Sequence, residues 1–376
     1  MIYCLITILL LSIVPITISY KKNHKKIMYL ILAFDFSFAL AVLAYYWVPS
    51  KEYDLSRYYT WMDNMQVFKG DILIDYLFFA RGEPITMVYF YIISLTNNYS
   101  LLPFFPTLIG YFIMFYIIID YCQIKKYSNK MTIFLILLFI SLFKYIFLVS
   151  GIRSTFAMIL CTLALYKEFI KNNQKWYIKI LYLVALGIHS GIIAIIFIRI
   201  LISIKRILKM KATKLVIFIV TILAIAILFL MLFSNQISFL NFIKEKLVSY
   251  ISLKPTISLQ YVFRSLQLIL FAGILFLVWK NKIYDNVYTD NMKKYYKFLQ
   301  ILIIICLIAF IYYDIWIRYL DFILFLELPI IADLLASYKN KKNKEYIVLI
   351  SILTIFIIGG VRIQIPIFAD MNIMLQ

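Results

Sequence analysis

The stretch LLPFFPTLIGYFIMFYIIIDY, residues 101–121, carries no charged side chain before Asp120. At a rise of 1.5 Å per residue, a helix of this length crosses the ~30 Å hydrocarbon core of a bilayer. Similar apolar runs recur along the chain without the alternation of a half-buried strand, so we expect transmembrane helices rather than a large soluble core. These runs lie near residues 2–20, 27–46, 131–149, 152–169, 176–203, 214–234, 262–279, 299–313, 316–337 and 346–360.

The composition of the whole chain agrees with a membrane protein. Hydrophobic residues make up 64% of the chain and charged residues 15%, with a mean hydropathy of +0.93, whereas a soluble domain has about 25% charged residues. The 376 residues leave room for roughly ten to twelve spans with their connections. The sequence therefore predicts an all-α fold, a polytopic integral membrane helix bundle that forms a single domain over residues 1–376.

The net charge of +20 comes mainly from lysines in short clusters between the apolar runs. In a soluble protein this charge would suggest a nucleic-acid partner, but here the positive-inside rule explains it and predicts cytoplasmic clusters. No basic segment precedes residues 2–20, which predicts an uncleaved first span. The connections at 47–83 and 235–261 are then expected to face outward and to contribute to a site. The lysine clusters lie at 21–26, 123–130, 167–179, 205–214, 280–297 and 339–344.

Two segments do not fit a simple series of crossings. Residues 84–96 begin with Pro84 and are too few to cross the bilayer core, so a short interfacial or re-entrant helix is predicted there. Residues 176–203 join two lysine clusters that both belong to the cytoplasmic side, so we expect the chain to turn back near GIHSG at 187–191. The alternative is one continuous helix that leaves residues 205–214 outside.

The arginines are distributed differently from the lysines. Several lie at the predicted outer ends of spans, where the positive-inside rule gives no reason for them. A charge in an apolar helix end is costly unless it is paired or faces a wet cavity, and the planar guanidinium matches phosphate oxygens. A single arginine at a span end can also be explained by contact with lipid headgroups. Arg318 can also be explained by an ion pair with Asp314 or Asp321, each about one helical turn away. The shared position of the set favours a pyrophosphate site. The set is Arg57, Arg81, Arg153, Arg264 and Arg318.

Candidate proton acceptors accompany these arginines. Asp54 lies three residues before Arg57, and Glu83 directly precedes Pro84. Either carboxylate is a candidate general base if it is held near an acceptor hydroxyl. Tyr58, next to Arg57, is a candidate for stacking on a sugar ring, although a membrane interface also attracts tyrosines.

His189 has no acidic residue near it in the sequence. An ionisable side chain at membrane depth is usually functional, and imidazole can donate, accept or carry a proton near neutral pH. We therefore expect His189 to orient the site or to shuttle a proton.

Motifs of nucleotide and metal enzymes are absent from the sequence. There is no Walker loop, no GxGxxG, no HExxH and no Asp-x-Asp pair, and the four cysteines are scattered without a CxxC. No metal and no cofactor are therefore predicted.

Five elements of the sequence keep a particular order along almost the whole chain. They are KEYDLSRYY (51–59), RGEP (81–84), SGIRSTFAMIL (150–160), LGIHSGII (186–193) and IRYLDFILFLELP (317–329). In this order they resemble the EpsG / Wzy-like family of bacterial polysaccharide polymerases, which work on capsule, exopolysaccharide or O-antigen. Family members often have glutamine after the arginine of the third element, where Ser154 stands here.

The resemblance implies an enzyme of the bacterial cytoplasmic membrane whose active site faces outward. Such polymerases join oligosaccharide repeat units carried on polyprenyl diphosphate, such as undecaprenyl diphosphate, and consume no nucleotide. On this basis Arg153, Arg264 and Arg318, with Arg57 as a further candidate, are expected to bind diphosphate. Asp54 or Glu83 is expected to act as base. A flippase and a chain-length regulator are candidate partners, and a membrane fold like that of GT-C glycosyltransferases is a further expectation.

Two other functions stay open at this stage. Broken helices and charges within the membrane are also features of transporters, for instance a flippase of lipid-linked oligosaccharides. A membrane O-acyltransferase that uses His189 is the third reading. The absence of an internal repeat and the outer position of the arginines favour the polymerase.

Overall fold

The computed structural model describes residues 25–78, 82–204, 207, 210, 212–233, 245, 258–281, 283–286, 288–311, 313–341 and 343–370. Over these residues the chain forms helices and no β-strand, which confirms the predicted all-α fold. The predicted first span at 2–20, Arg81 and most of the connection 235–261 lie outside the described residues.

The helices are numbered in chain order. A π-helical turn, Tyr166–Ile170, extends the helix that ends at Leu165, and a 3₁₀ turn, Ala309–Ile311, follows the helix that ends at Ile308. The α-helices are α1 Lys25–Tyr45, α2 Asp54–Val67, α3 Asp71–Phe78, α4 Pro84–Ser94, α5 Leu101–Ile124, α6 Asn129–Leu142, α7 Tyr145–Val149, α8 Ile152–Leu165, α9 Trp176–Ile188, α10 Ile192–Leu201, α11 Ala212–Phe233, α12 Leu259–Lys280, α13 Ile283–Asn286, α14 Asp290–Ile308, α15 Tyr313–Lys341 and α16 Asn343–Asp370.

Four of the described helices are long and apolar enough to cross a membrane. The chain is therefore a membrane protein with a polytopic helix bundle, as the hydropathy predicts. The total of ten to twelve spans stays a prediction, because only the described residues bear on it. The four helices are Lys26–Tyr45, Leu101–Ile124, Leu259–Lys280 and Lys344–Ile365.

The helices group into two compact units, one of residues 1–193 with 331–376 and one of residues 194–330. In the first unit α5 is the central helix, since 61% of its apolar stretch is buried against 17% for α16. Helix α1 packs along α5, which also contacts α6, α7 and α8. The single-domain interpretation stays a prediction.

Glycines allow close helix contacts in the first unit. At Gly110 of α5 a Cβ atom would lie 2.9 Å from Leu148 Cδ2, and at Gly360 of α16 it would overlap the backbone oxygen of Ser141. Small residues of this kind let helix backbones approach each other within a membrane. The packing of α16 against α6 therefore depends on Gly360.

One end of the first unit brings together residues of separate predicted lysine clusters. The buried carboxylate of Asp120 in α5 accepts hydrogen bonds from Lys26 at 2.8 Å, from Lys171 at 2.7 Å and from the Tyr166 hydroxyl at 2.6 Å. Lys26 and Lys171 come from the clusters 21–26 and 167–179, which the charge pattern assigns to the same side. We refer to this end, defined by Lys26, Asp120 and Lys171, as the lysine end.

The two irregular segments have the predicted local form. Helix α4 is a short helix that starts at Pro84, and the apolar run 176–203 is broken between Ile188, where α9 ends, and Ile192, where α10 begins. The structure therefore does not support the continuous-helix alternative. The side of the membrane on which 205–214 lies stays a prediction.

Candidate functional site

Arg153 lies in the first turn of α8, directly after a tight connection from α7. At Gly151 in this connection a Cβ atom would meet the backbone oxygen of Phe147 at 2.8 Å, so a larger residue would force a shift. The Ser150 hydroxyl accepts a hydrogen bond from the backbone N–H of Leu55 in α2 at 3.4 Å. Ser150 and Gly151 thus fix the start of α8 against the start of α2, and this packing sets the position of Arg153.

The Arg153 guanidinium is held by a carboxylate and by aromatic rings. Its Nη1 donates to Glu83 Oε2 in a short ion pair, and its Nε donates to the Tyr58 hydroxyl at 3.2 Å. It also lies over the rings of Tyr58 and Trp61, 5.1 and 5.2 Å from their centroids. A cation that contacts aromatic faces gains electrostatic stabilisation beyond its ion pair. Its side chain stays 22% exposed, so a ligand can still reach it.

Glu83 links Arg153 to the break between α9 and α10. Its second oxygen, Oε1, lies 2.9 Å from His189 Nδ1 and accepts from the backbone N–H of Ser190 at 3.3 Å. The Glu83 side chain is 1% exposed, whereas that of His189 is 14% exposed. One buried carboxylate therefore joins the RGEP, SGIR and GIHSG elements, which lie far apart in the sequence.

The local backbone explains why Glu83 reaches His189. Glu83 is the residue before α4, and the Thr86 hydroxyl in the first turn of α4 donates to the backbone oxygen of Ile188 at 2.7 Å. At Gly187 a Cβ atom would lie 2.6 Å from Ile85 Cδ1. The start of α4 therefore packs directly on the end of α9, and the absence of a side chain at Gly187 allows this contact.

The two partners of Glu83 keep it ionised. Burial disfavours the charged form and by itself would raise the pKa, but the hydrogen bond with His189 and the charge of Arg153 outweigh it and lower the pKa of Glu83 to about 2. A carboxylate in this state accepts hydrogen bonds only. The proton of a neutral His189 therefore lies on Nδ1, and Nε2 is left as a proton acceptor.

Asp54 and Arg57 pair with each other on the exposed face of α2. The two side chains form an ion pair one turn apart, with Asp54 37% and Arg57 67% exposed. Tyr58, in contrast, is buried and contacts Trp61 and Phe90 through its ring. Of the residues predicted in the first unit, the structure brings Glu83, Arg153, His189 and Tyr58 into one cluster, and it leaves the pair Asp54–Arg57 outside it.

Arg264 and Arg318 belong to the second unit. Arg264 in α12 is 1% exposed and donates to Asp321 Oδ1 of α15 at 2.9 Å and to Gln267 Oε1 at 3.1 Å. Arg318 in α15 is exposed. Asp321, one of the two carboxylates considered from the sequence as a partner of Arg318, is bound by Arg264 across two helices.

Two contributors to the cluster were not selected from the sequence. Trp61 covers the guanidinium of Arg153, and Ser190 donates its backbone N–H to Glu83. Trp61 lies three residues after Tyr58 in the amphipathic helix α2, so a helical reading places both on one face. Ser190 could have been singled out only as part of GIHSG.

Comparison with known proteins gives a family for the chain. The model of the EpsG family matches residues 38–364, a range that contains the whole cluster of Glu83, Arg153 and His189 together with Arg264 and Arg318. No curated protein and no solved structure matches the chain, so the expected likeness to the GT-C membrane fold stays a prediction. Because the match covers most of the 376 residues and the elements that build the buried cluster, the chain belongs to the EpsG family.

Proposed function

We propose that this membrane protein is a glycosyltransferase that polymerises oligosaccharide repeat units carried on polyprenyl diphosphate at the outer face of the bacterial cytoplasmic membrane. Membership of the EpsG family supports a polysaccharide-polymerase-like role. The observation that carries the mechanism is the buried carboxylate of Glu83, which is bonded at once to Arg153 and His189.

In the proposed reaction a hydroxyl of the acceptor sugar attacks the anomeric carbon of the donor sugar. The new glycosidic C–O bond forms as the bond from that carbon to the diphosphate oxygen breaks. The hydroxyl proton passes to His189 Nε2, and polyprenyl diphosphate leaves with its negative charge. His189 acts as general base, because its Nδ1–H is already held by Glu83.

Glu83 has the role of a positioning residue in this scheme. A pKa of about 2 makes its carboxylate a weak base at neutral pH. The same carboxylate fixes the imidazole tautomer and stabilises the imidazolium that forms, as the buried aspartate does in a serine–histidine–aspartate triad. The sequence analysis named Asp54 or Glu83 as the base; the proposal gives this role to His189 instead and makes Glu83 the residue that positions it.

Arg153 supplies the positive charge for the leaving group. Nη1 and Nε are directed to Glu83 and Tyr58, which leaves the Nη2 donors of the planar fork for a phosphate oxygen. A fixed cation next to the developing charge lowers the barrier without a metal ion. Arg318, Arg264 and Arg57 remain candidates for the other diphosphate groups.

The proposed outward orientation of the site is supported by the position of the lysine end. Arg153 lies in the first turn of α8 and Lys171 follows its π-helical extension, so the two residues lie roughly 25 Å apart along one helical segment. The positive-inside rule assigns the lysine end to the cytoplasm. The cluster at the opposite end of the same segment is therefore proposed to face outward, where lipid-linked repeat units are polymerised.

A flippase for the same lipid-linked oligosaccharide is the second candidate. The break between α9 and α10 favours it, because interrupted helices commonly form transporter sites. An O-acyltransferase would also use a histidine with a carboxylate partner, but it has no separate observation in its favour.

Surface labelling of the repeat unit in a strain without the chromosomal gene distinguishes these candidates. A strain that carries Arg153→Lys as its only copy should expose single repeat units on the cell surface and lack long chains. The loss of a flippase would instead remove repeat units from the surface. Arg362→Lys, an exposed arginine of α16, is the matched control and should give normal chains. Normal long chains from Arg153→Lys would overturn the proposal.

A further inference from the structure

A cavity of about 410 Å³, open to the surface, lies on the first unit beside α2. None of its lining residues belongs to the cluster of Glu83, Arg153, His189 and Tyr58, which we call the Arg153 cluster. Its size is in the range of sites for small ligands. Helix α2 contributes one wall and the connection between α4 and α5 contributes the other. The lining residues are Tyr59, Gln66, Asn97, Asn98, Tyr99 and Ser100.

Two tyrosine rings form the aromatic part of the cavity. The rings of Tyr59 and Tyr99 are 5.5 Å apart between centroids and inclined at 47°. The Tyr99 hydroxyl donates to Asp63 Oδ1 at 2.7 Å, which fixes the orientation of its ring. Burial raises the pKa of Tyr59 to about 12, and burial together with the Asp63 hydrogen bond raises the pKa of Tyr99 to about 12. Both rings are therefore neutral phenols at physiological pH.

Amide side chains supply the polar part. Gln66 Nε2 donates to the backbone oxygen of Ser94 at 2.8 Å and to Asn97 Oδ1 at 3.2 Å, and Asn98 Nδ2 donates to the Tyr45 hydroxyl at 2.8 Å. These bonds orient the amides and leave Gln66 Oε1, Asn98 Oδ1 and the Asn97 amide hydrogens for a ligand. Asn97 has a left-handed backbone, φ +53°, which places its side chain at the tip of the turn.

The chemistry of this lining selects a class of ligand. None of the six lining residues is charged, so the cavity offers no cation for a phosphate or carboxylate. Tyrosine faces match the apolar C–H faces of pyranose rings, and paired amide donors and acceptors match vicinal hydroxyls. The nearest carboxylate in the network, Asp63, already accepts from Tyr99.

The cavity lies next to the Arg153 cluster through the same helix. Tyr58 and Trp61 of α2 contact Arg153. Tyr59, which follows Tyr58, lines the cavity, and so does Gln66, two helical turns after Tyr59. Successive residues of a helix point about 100° apart, so the two sites occupy neighbouring faces of α2. A chain of sugars bound in the cavity would thus extend along α2 from the site at which Arg153 is proposed to hold diphosphate.

We propose that this cavity is a carbohydrate-binding subsite that takes uncharged sugar residues of the oligosaccharide, away from its diphosphate end. The role within polymerisation rests on the proposed function, but the binding chemistry does not. A membrane interface also collects tyrosines, and lipid headgroups are the ligand class that the test must separate from sugars.

Saturation-transfer NMR on the purified full-length protein in nanodiscs of phosphatidylcholine measures binding directly. The probes are size-fractionated oligosaccharides released by mild acid from the extracellular polysaccharide of the producing strain. Wild-type protein should transfer saturation to sugar ring protons, and Tyr59→Ala should weaken binding roughly five-fold or more by removing one aromatic face. Tyr59→Phe should bind normally. Tyr91→Ala removes a half-buried tyrosine of α4 that does not line the cavity and should also bind normally.

A second variant fills the cavity instead of removing part of it. Ser100 makes no side-chain capping bond at the start of α5, so its replacement does not remove a helix cap. Ser100→Trp places an indole ring in the cavity and should abolish sugar binding, which keeps the test available if Tyr59→Ala fails to fold. Equal transfer in wild type and Ser100→Trp, or no transfer in wild type, overturns the subsite. Transfer confined to the headgroup protons of the lipid, unaffected by sugar, also overturns it. Sugar binding that persists in an Arg153→Lys variant with normal polymerisation would reject the proposed catalytic role but leave the subsite intact.

Discussion

His189 Nδ1 lies 2.9 Å from Glu83 Oε1, although the two residues are 106 positions apart in the sequence. The contact is possible because the break after α9 and the start of α4 are packed together by Gly187, Ile85 and Thr86. A buried carboxylate with an imidazole on one oxygen and a guanidinium on the other is costly to maintain unless each charge is compensated. The side chain of Glu83 thus holds both His189, the proposed catalytic base, and Arg153, the arginine proposed to bind diphosphate.

Replacement of Glu83 by the isosteric glutamine should remove most of the polymerase activity and keep the shape of the site. In Glu83→Gln the neutral amide no longer fixes the imidazole tautomer or compensates Arg153, so polymerisation should fall by about 100-fold or more. The rate of ladder formation from lipid-linked repeat units measures the effect. Glu52→Gln, an exposed carboxylate in the same predicted outward connection, should leave the rate unchanged. A rate within a few-fold of wild type for Glu83→Gln would contradict the role of Glu83.

The lowered pKa of Glu83 predicts a specific acid sensitivity. Its pKa falls from 4.5 to about 2 in the folded protein, so its contribution to stability, about 3 kcal/mol at most, is present above pH 4.5 and is lost as the pH drops toward 2. The melting temperature of the protein in detergent should therefore decline over this interval. Glu83→Gln should melt at a lower temperature at pH 6 and show a smaller decline. Parallel pH profiles of the two proteins would contradict the assignment.

Substitutions of Tyr58 should lower the polymerisation rate, because Tyr58 positions Arg153. Tyr58→Phe keeps the ring under the guanidinium but removes the hydroxyl that accepts from Arg153 Nε at 3.2 Å. A neutral-to-charged hydrogen bond contributes about 1.5–3 kcal/mol, and the retained cation–π contact limits the loss, so a reduction of roughly ten-fold in rate is expected. Tyr58→Ala should reduce the rate further, because the ring is lost as well. The two variants measured in one assay test this order, and equal rates for both would contradict it.

Two glycines provide a matched test of the packing. Gly360→Ala should destabilise the protein by about 2 kcal/mol, because the new methyl group would overlap the Ser141 backbone oxygen. At Gly273 in α12 an added Cβ atom would have no other atom within 4 Å, so Gly273→Ala should be neutral or stabilising by up to about 1 kcal/mol. Melting temperatures of both variants in the same detergent check the difference. Equal effects would show that α16 does not pack on α6 as described.

The sequence supplies the parts of this account that depend on composition and local pattern. Apolar runs and Pro84 predict helices and the short α4, and the glycines around His189 predict the break that the structure has between Ile188 and Ile192. Arg153 and His189 were chosen because ionisable groups at membrane depth are usually functional, whereas Glu83 was chosen as a carboxylate of the predicted outward connection, directly before Pro84. Their mutual bonds could not be predicted, because a local pattern carries no information about pairs 70 and 106 residues apart.

The tyrosine and amide cavity was also out of reach of sequence reasoning. Tyr59 and Tyr99 are 40 positions apart, and nothing in either segment indicates the other. The same holds for the ion pair of Arg264 with Asp321 in the second unit, where the sequence suggested only pairing within one helical turn. Tertiary packing determines all of these contacts.

Reconstituted polymerisation by His189→Gln tests the central claim most directly. Purified protein in vesicles is supplied with the lipid-linked repeat unit and scored for a ladder of longer products. Wild type should give the ladder, and His189→Gln, which keeps a hydrogen-bond donor for Glu83 but loses the proton acceptor, should give it at least about 100 times more slowly. A ladder formed by His189→Gln at the wild-type rate, or none from wild type, would contradict the account.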